Sequence, residues 1–138
     1  MKVVGFDGRE RNLPLYGKSK RGEKSKSNLH KRARKLIRGI FPRERILEEV
    51  ALPGSNKTKK RSTLYADFFI PRQDLVIEVH GRQHYEYVKF YHKDKKGYYR
   101  SRARDRQKIE WCDLNKIDIV SLKYSDSDDD WKQAILSR

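Results

Sequence analysis

A chain of 138 residues with a formal charge of +15, from 34 Lys and Arg against 19 Asp and Glu, can fill one modest core and is strongly disposed towards polyanions. Its single cysteine, Cys112, excludes a disulfide framework and a multi-thiolate zinc site, and no run of eighteen apolar residues offers a membrane span. These features predict a soluble, cytoplasmic protein whose partner is nucleic acid, with a merely basic protein of the ribosome-associated kind as the alternative.

The first residues are briefly apolar (Val3, Val4, Phe6) and then pass into YGKSKRGEKSKS, too rich in Gly, Ser and Lys to build a core. Residues 1–26 are therefore expected to be a basic, flexible arm ahead of a single domain over 27–138. From Ser27 the pattern becomes helical: Leu29, Ala33, Leu36, Ile37 and Ile40 recur on one face, Ser27 or Asn28 supplies the cap, and Pro42 stops the run. His30, Lys31, Arg32, Arg34, Lys35 and Arg38 fill the other faces, turned either to DNA or to water. RILEEVAL, residues 45–52, fits neither the helical nor the strand period cleanly; its place in the chain favours a strand. A Pro53-Gly54-Ser55-Asn56 turn follows, then a basic loop carrying Lys57, Lys59, Lys60 and Arg61.

The chemistry concentrates in LYADFFIPRQDLVIEVHGRQH, residues 64–84, two short strands joined at Pro71-Arg72-Gln73. Residues two apart on a strand share a face, so Glu78 and His80 point one way while Ile77 and Val79 point into a core. Asp67 lies eleven positions before Glu78, far enough for the chain to turn back and bring both carboxylates to one hard cation, Mg²⁺ or Mn²⁺. Two acids with a hydrogen-bonding side chain beside them suit metal-assisted phosphodiester hydrolysis. Beyond the site, Tyr85, Tyr87, Phe90, Tyr91, Tyr98 and Tyr99 alternate with Lys89, Lys93, Lys95, Lys96 and Arg100. Flat faces for bases and cations for phosphates make this stretch a candidate DNA surface, with a strand edge or a partial core as the other reading. Residues 101–115 read as a helix, IDIVSL (117–122) as a buried strand, and Ser125 to Asp130 as the acidic cap of a last helix rather than a metal site.

The order α, β, β, β, α, β with a terminal helix resembles the core of the PD-(D/E)XK nuclease superfamily. IEVHGRQHY (77–85), with SNLHKRARKL, ALPG, ADFFIP and ARDRQKIEW in the same order, is similar to the very-short-patch mismatch-repair endonucleases. It also resembles a related family of small uncharacterised domains, and the phage homing endonucleases whose catalytic domain is like that of the short-patch enzymes. The resemblance spans about residues 27–124. It implies an α/β, restriction-endonuclease-like fold, with a central mixed sheet flanked by helices, and a metal-dependent DNA endonuclease. Carried across, Asp67 is the metal-ligating aspartate, Val79 offers its backbone carbonyl to the metal, and His80 and His84 are the catalytic histidines. Asp105 and Arg106 fall on a charged pair at the start of the second helix. Lys57, Lys59, Lys60, Arg61, Arg82, Gln83, Tyr85, Lys89, Lys93, Lys95, Lys96, Arg102 and Arg106 are the expected nucleic-acid contacts. Two departures stand out: His30 occupies a position where the family carries Glu, leaving Glu48 or Glu49 to supply that carboxylate, and Glu78 keeps an acid that the short-patch enzymes lack. A binding module that has lost catalysis, and a nuclease for RNA or branched DNA, are the rival readings; a monomer and a homodimer both fit.

Overall fold

The computed structural model describes residues 1–15, 27–57 and 63–138. The chain opens with an antiparallel hairpin, β1 (Lys2–Val4) and β2 (Glu10–Asn12), turned at Asp7-Gly8, where Gly8 sits at φ +78° in the left-handed region that costs glycine least. Helix α1 (Asn28–Ile40) follows, with the Ser27 hydroxyl accepting from the His30 amide at 3.2 Å as its cap. Strand β3 (Leu47–Ala51), β4 (Tyr65–Ile70) and β5 (Leu75–His80) come next, the last two joined by a tight turn at Pro71–Gln73. A second such turn, Arg82–His84, leads into the one-turn helix α2 (Lys89–His92), then α3 (Lys95–Leu114), β6 (Asp118–Lys123) and α4 (Asp128–Leu136).

Strands β3 to β6 form one sheet in chain order, antiparallel from β3 to β5 and parallel between β5 and β6, with α3 as the crossover. The alternation of side chains sorts two cores onto its two faces. On one, Phe68, Ile70, Leu75, Ile77 and Leu122 meet Ala33 and Ile37 of α1 and Trp131 and Ile135 of α4. On the other, Leu47, Phe69 and Val76 meet Trp111 and Cys112 of α3. The fold is thus α/β, a four-stranded mixed sheet flanked by helices.

One expectation is overturned at the N-terminus. Residues 1–15 are not an arm: Val3 and Leu13 are 2% and 1% exposed and pack into the α3-side core. The side chain of Asn115 locks the hairpin in place, accepting from the Val4 amide at 2.7 Å and donating to its carbonyl at 3.0 Å. The basic stretch 16–26 lies outside the described residues. A second correction concerns 85–100, which carries α2 and the first turns of α3 rather than a strand edge, and whose aromatics are not core: Phe90 is 88% exposed, Tyr91 61% and Tyr99 63%.

Candidate functional site

The hydrogen-bonded ladder between β4 and β5 runs out at Phe68 opposite Ile77, and beyond it side chains take over. The Asp67 amide donates to Glu78 Oε2 at 2.8 Å, and the Val79 amide donates to Asp67 Oδ2 at 2.8 Å. The two acids therefore come together, as the spacing requires. Glu78, however, is only 1% exposed, and its other oxygen accepts from Lys108 Nζ of α3 at 2.6 Å. Both Glu78 oxygens accept from protein donors, so a hard cation between Asp67 and Glu78 would share that carboxylate with Lys108 and the Asp67 amide. Val79 meets the site through its amide, which donates to Asp67.

The residue that brings the next donors in is His80, the last of β5. Its ring lies flat against His84 with centroids 4.1 Å apart and planes 2° from parallel, and His84 Nδ1 contacts Asp105 Oδ2 of α3 at 2.8 Å. His80, His84 and Asp105 each offer a ligand atom, all within 4.8 Å of one another, and together they can hold a metal ion. Strand β5, the 82–84 turn and α3 thus deliver one donor apiece.

Burial, reinforced by the charge of Glu78, raises the Asp67 carboxyl to about 6, an acid kept short of compensating positive charge. Burial, with the neighbouring His84, lowers His80 to about 4, so its imidazole is neutral near pH 7. Burial also opposes the charges of Asp105 and Lys108, but each has a stronger partner. The His84 hydrogen bond holds Asp105 below the usual carboxylate range, and Glu78 holds Lys108 above the usual lysine value.

Two clefts open here, of about 640 and 450 Å³, sharing Asp67, Gln83 and Tyr91. The larger also reaches His30, Val79 and Arg82; the smaller takes in His84, Asp105, Lys108 and Arg104. At the back of the larger cleft, buried His30 stacks on Phe68 at 4.4 Å, and its Nε2 lies 2.7 Å from Glu48 Oε1, which also accepts from Arg34 at 2.8 Å. Of the two acids weighed for the missing family Glu, Glu48 is the one that faces α1. Its neighbour Glu49, at φ +48°, occupies the left-handed backbone region on the strand beside Asp67, a strained conformation for a residue with a side chain.

The expected nucleic-acid contacts divide. Arg82 and Gln83 line the larger cleft, and Arg82 pairs with Glu86. Tyr85 is 41% exposed, with Lys123 Nζ 4.8 Å from its ring centroid. Lys89, Lys93, Lys95 and Lys96 are exposed along α2 and the start of α3, and Arg102 and Arg106 are exposed further along that helix. Lys95 and Lys96 lie in the first turn of α3, where the helix dipole is already positive, so they create a local field attractive to anions. Lys57 instead forms an ion pair with Glu110 at 2.9 Å. Lys59, Lys60 and Arg61 lie outside the described residues. Lys108 went unseen in the sequence because nothing in the pattern sets it apart from its neighbours.

No family model and no solved structure matches the chain. Over 65 residues it is 29% identical to Uncharacterized protein 307L of Invertebrate iridescent virus 6, covering 47% of this chain and 33% of that one. Over 64 residues it is 30% identical to Uncharacterized protein 033L of Invertebrate iridescent virus 3, covering 46% and 33%. The match spans about a third of the length of these relatives. Among the described residues no helix is long and apolar enough to cross a membrane.

Proposed function

We propose that this protein is a metal-dependent DNA endonuclease of the short-patch-repair type, hydrolysing phosphodiester bonds with Mg²⁺ or Mn²⁺. The observation that carries this reading is the convergence of Asp67, His80, the His84–Asp105 pair and Lys108 at one end of the central strands, opening on clefts shared by Gln83 and Tyr91. A divalent cation supplies charge neutralisation at the phosphate and acidifies a bound water. The protein's own groups divide the remaining work. His80, neutral near pH 7, accepts the proton of the attacking water. His84, oriented by Asp105, returns a proton to the leaving oxygen. Lys108 fixes Glu78 through their ion pair, and the basic residues of α2 and α3 hold the phosphate backbone.

The preference for double-stranded DNA rests on the resemblance to the short-patch enzymes. A second reading, a substrate with unstacked bases such as branched DNA or RNA, is favoured by the exposure of Phe90, Tyr91 and Tyr99 beside the lysines, because aromatic faces bind splayed bases. Digestion of duplex, mismatched, branched and single-stranded substrates with Mg²⁺ and with Mn²⁺ tests both. Metal-dependent cutting is expected from the native protein and is expected to disappear in Asp67→Ala while binding persists; undiminished cutting by Asp67→Ala removes the proposal. Reversing Lys95 and Lys96 to Glu is expected to weaken binding to every substrate alike and to flatten the salt dependence by roughly one unit of log–log slope per lost phosphate contact.

A further inference from the structure

We infer that the smaller cleft carries a separate phosphate subsite, built from His92 Nε2, Ser101 Oγ and the Arg104 guanidinium, which holds the phosphate next to the one being cut. The subsite itself is independent of the nuclease reading, because anion binding reports it; its place beside the scissile phosphate rests on that reading.

Among the described residues, His92 Nε2 is the one buried side-chain nitrogen or oxygen without a hydrogen-bond partner, on a residue only 6% exposed. The Val88 amide donates to Nδ1 of the same ring at 3.0 Å, so Nδ1 is bare and the proton of the neutral imidazole sits on Nε2. A donor is thus buried with no acceptor, an arrangement that calls for one from outside the chain. His92 lines the cleft together with Ser101 and Arg104. Gly97 makes their meeting possible: a Cβ there would collide with the His92 carbonyl oxygen, so the start of α3 closes on α2 because that position has none. Nε2 lies beneath the cleft wall, and a small turn of the short helix α2 brings it to the surface.

Ser101 and Arg104 complete a group that has only donors left to offer. The Arg104 guanidinium donates to Ser101 Oγ at 3.1 Å and meets no carboxylate among the described residues, so its charge is uncompensated. With its oxygen accepting, the Ser101 hydroxyl still has its own proton to give. The neighbouring charges are spent elsewhere, Asp105 on His84 and Lys108 on Glu78. An imidazole N–H, a hydroxyl and a guanidinium fit an anion rich in oxygens. Phosphate points its oxygens in several directions and can meet donors from α2 and α3 together, whereas a carboxylate offers two in one plane. The order along α3 sets the register: Ser101, Arg104, Asp105 and Lys108 fall at i, i+3, i+4 and i+7, on one side of the helix. Ser101 lies one turn, about 6 Å, upstream of Asp105, which is the scale of the step between consecutive phosphates of a strand. A phosphate reacting at Asp67, His84 and Asp105 therefore leaves its neighbour against His92, Ser101 and Arg104.

The test begins without metal or nucleic acid, with heteronuclear NMR of the histidine rings during a titration with inorganic phosphate. His92 is expected to carry its proton on Nε2, and phosphate is expected to move that signal downfield and saturably, whereas acetate and chloride at equal ionic strength leave it in place. Arg104→Gln is expected to weaken the response about fivefold or more and Ser101→Ala about twofold, with Lys57→Gln as the unaffected control. Thermal melting shows that each variant is folded before titration. A signal held upfield by the Tyr98 ring, whose centroid is 5.2 Å away at 74°, and unmoved by phosphate overturns the subsite, because the proton is then already spent. An equal response in Arg104→Gln overturns it too. The second arm uses the substrate that the native protein cuts best, with one neutral methylphosphonate placed in turn on either side of the cut. At one of the two positions the native protein is expected to cut about tenfold more slowly, and Arg104→Gln is expected to lose little more, since both changes remove one contact. Independent, additive losses overturn the assignment to the neighbouring phosphate. A phosphate response at His92 in a protein that cuts nothing removes the nuclease reading and keeps the subsite; cutting without that response does the reverse.

Discussion

Two enclosed carboxylate clusters face each other across β4, one reached from α1 and the other from α3, and they are built to opposite electrostatic ends. Glu48 is met by Arg34 and His30, and although burial opposes its charge, these partners hold it below the usual carboxylate range. Asp67 is pushed up to about 6 by burial and the repulsion of Glu78, against the opposing pull of the Val79 amide and Lys108. The first cluster is complete as folded. The second is short of positive charge, and a fold tolerates such a deficit where a ligand or ion is to supply what is missing.

That contrast is open to direct attack. The largest effect concerns function: Asp67→Ala is expected to lower cutting by about three orders of magnitude or more, the scale of losing a principal electrostatic group, while Glu48→Gln leaves it within a few-fold; equal losses from the two would erase the distinction. Next comes folding. Lys108→Met strands the buried Glu78 charge and is expected to cost on the order of 3 kcal/mol in urea melts, most of it regained when Glu78→Gln is added. Glu48→Ala, which strands Arg34 and His30, is expected to cost a similar amount with no such simple rescue. The smallest effect follows from pH. Because the folded pKa of Asp67 is raised, its contribution to stability is present below the ordinary value of 3.8 and is lost as pH rises through about 6. Asp67→Asn is therefore expected to be more stable than the native protein at pH 8 in chelator, by about 1–2 kcal/mol, with the gain vanishing towards pH 4. A gain that persists at pH 4 points to packing instead of charge.

Much of the scaffold was legible because local signals agreed with one another. Ser27 before an apolar stripe ending at Pro42 gave α1, Pro71 gave the β4–β5 turn, and the acidic stretch Ser125 to Asp130 gave the cap of α4, supplied in the structure by the Ser127 hydroxyl. The hairpin was missed although Asp7-Gly8 is a strong turn signal, because three-residue strands bearing Lys, Glu and Arg carry too short an alternation to stand out. In the site, Asp67, Glu78 and His80 were readable from strand spacing, and His84 and Asp105 only from resemblance, since the 82–84 turn and the rotation of α3 decide whether they meet. Lys108 was illegible for a different reason. In a chain so rich in lysine and arginine, the one that turns inward differs from the rest only by what lies opposite it in space.

The amide clasp between Asn115 and Val4 gives the first dozen residues a reach well beyond their own position. Asn115 stops α3, so the hairpin fixes how far that helix can slide along the sheet, and Asp105 and Lys108 lie two to three turns upstream on the same rod. A shift of one residue at the far end is about 1.5 Å at the near end, enough to pull both side chains off their partners. Trimming the start of the chain as dispensable would thus misalign a centre that it never touches.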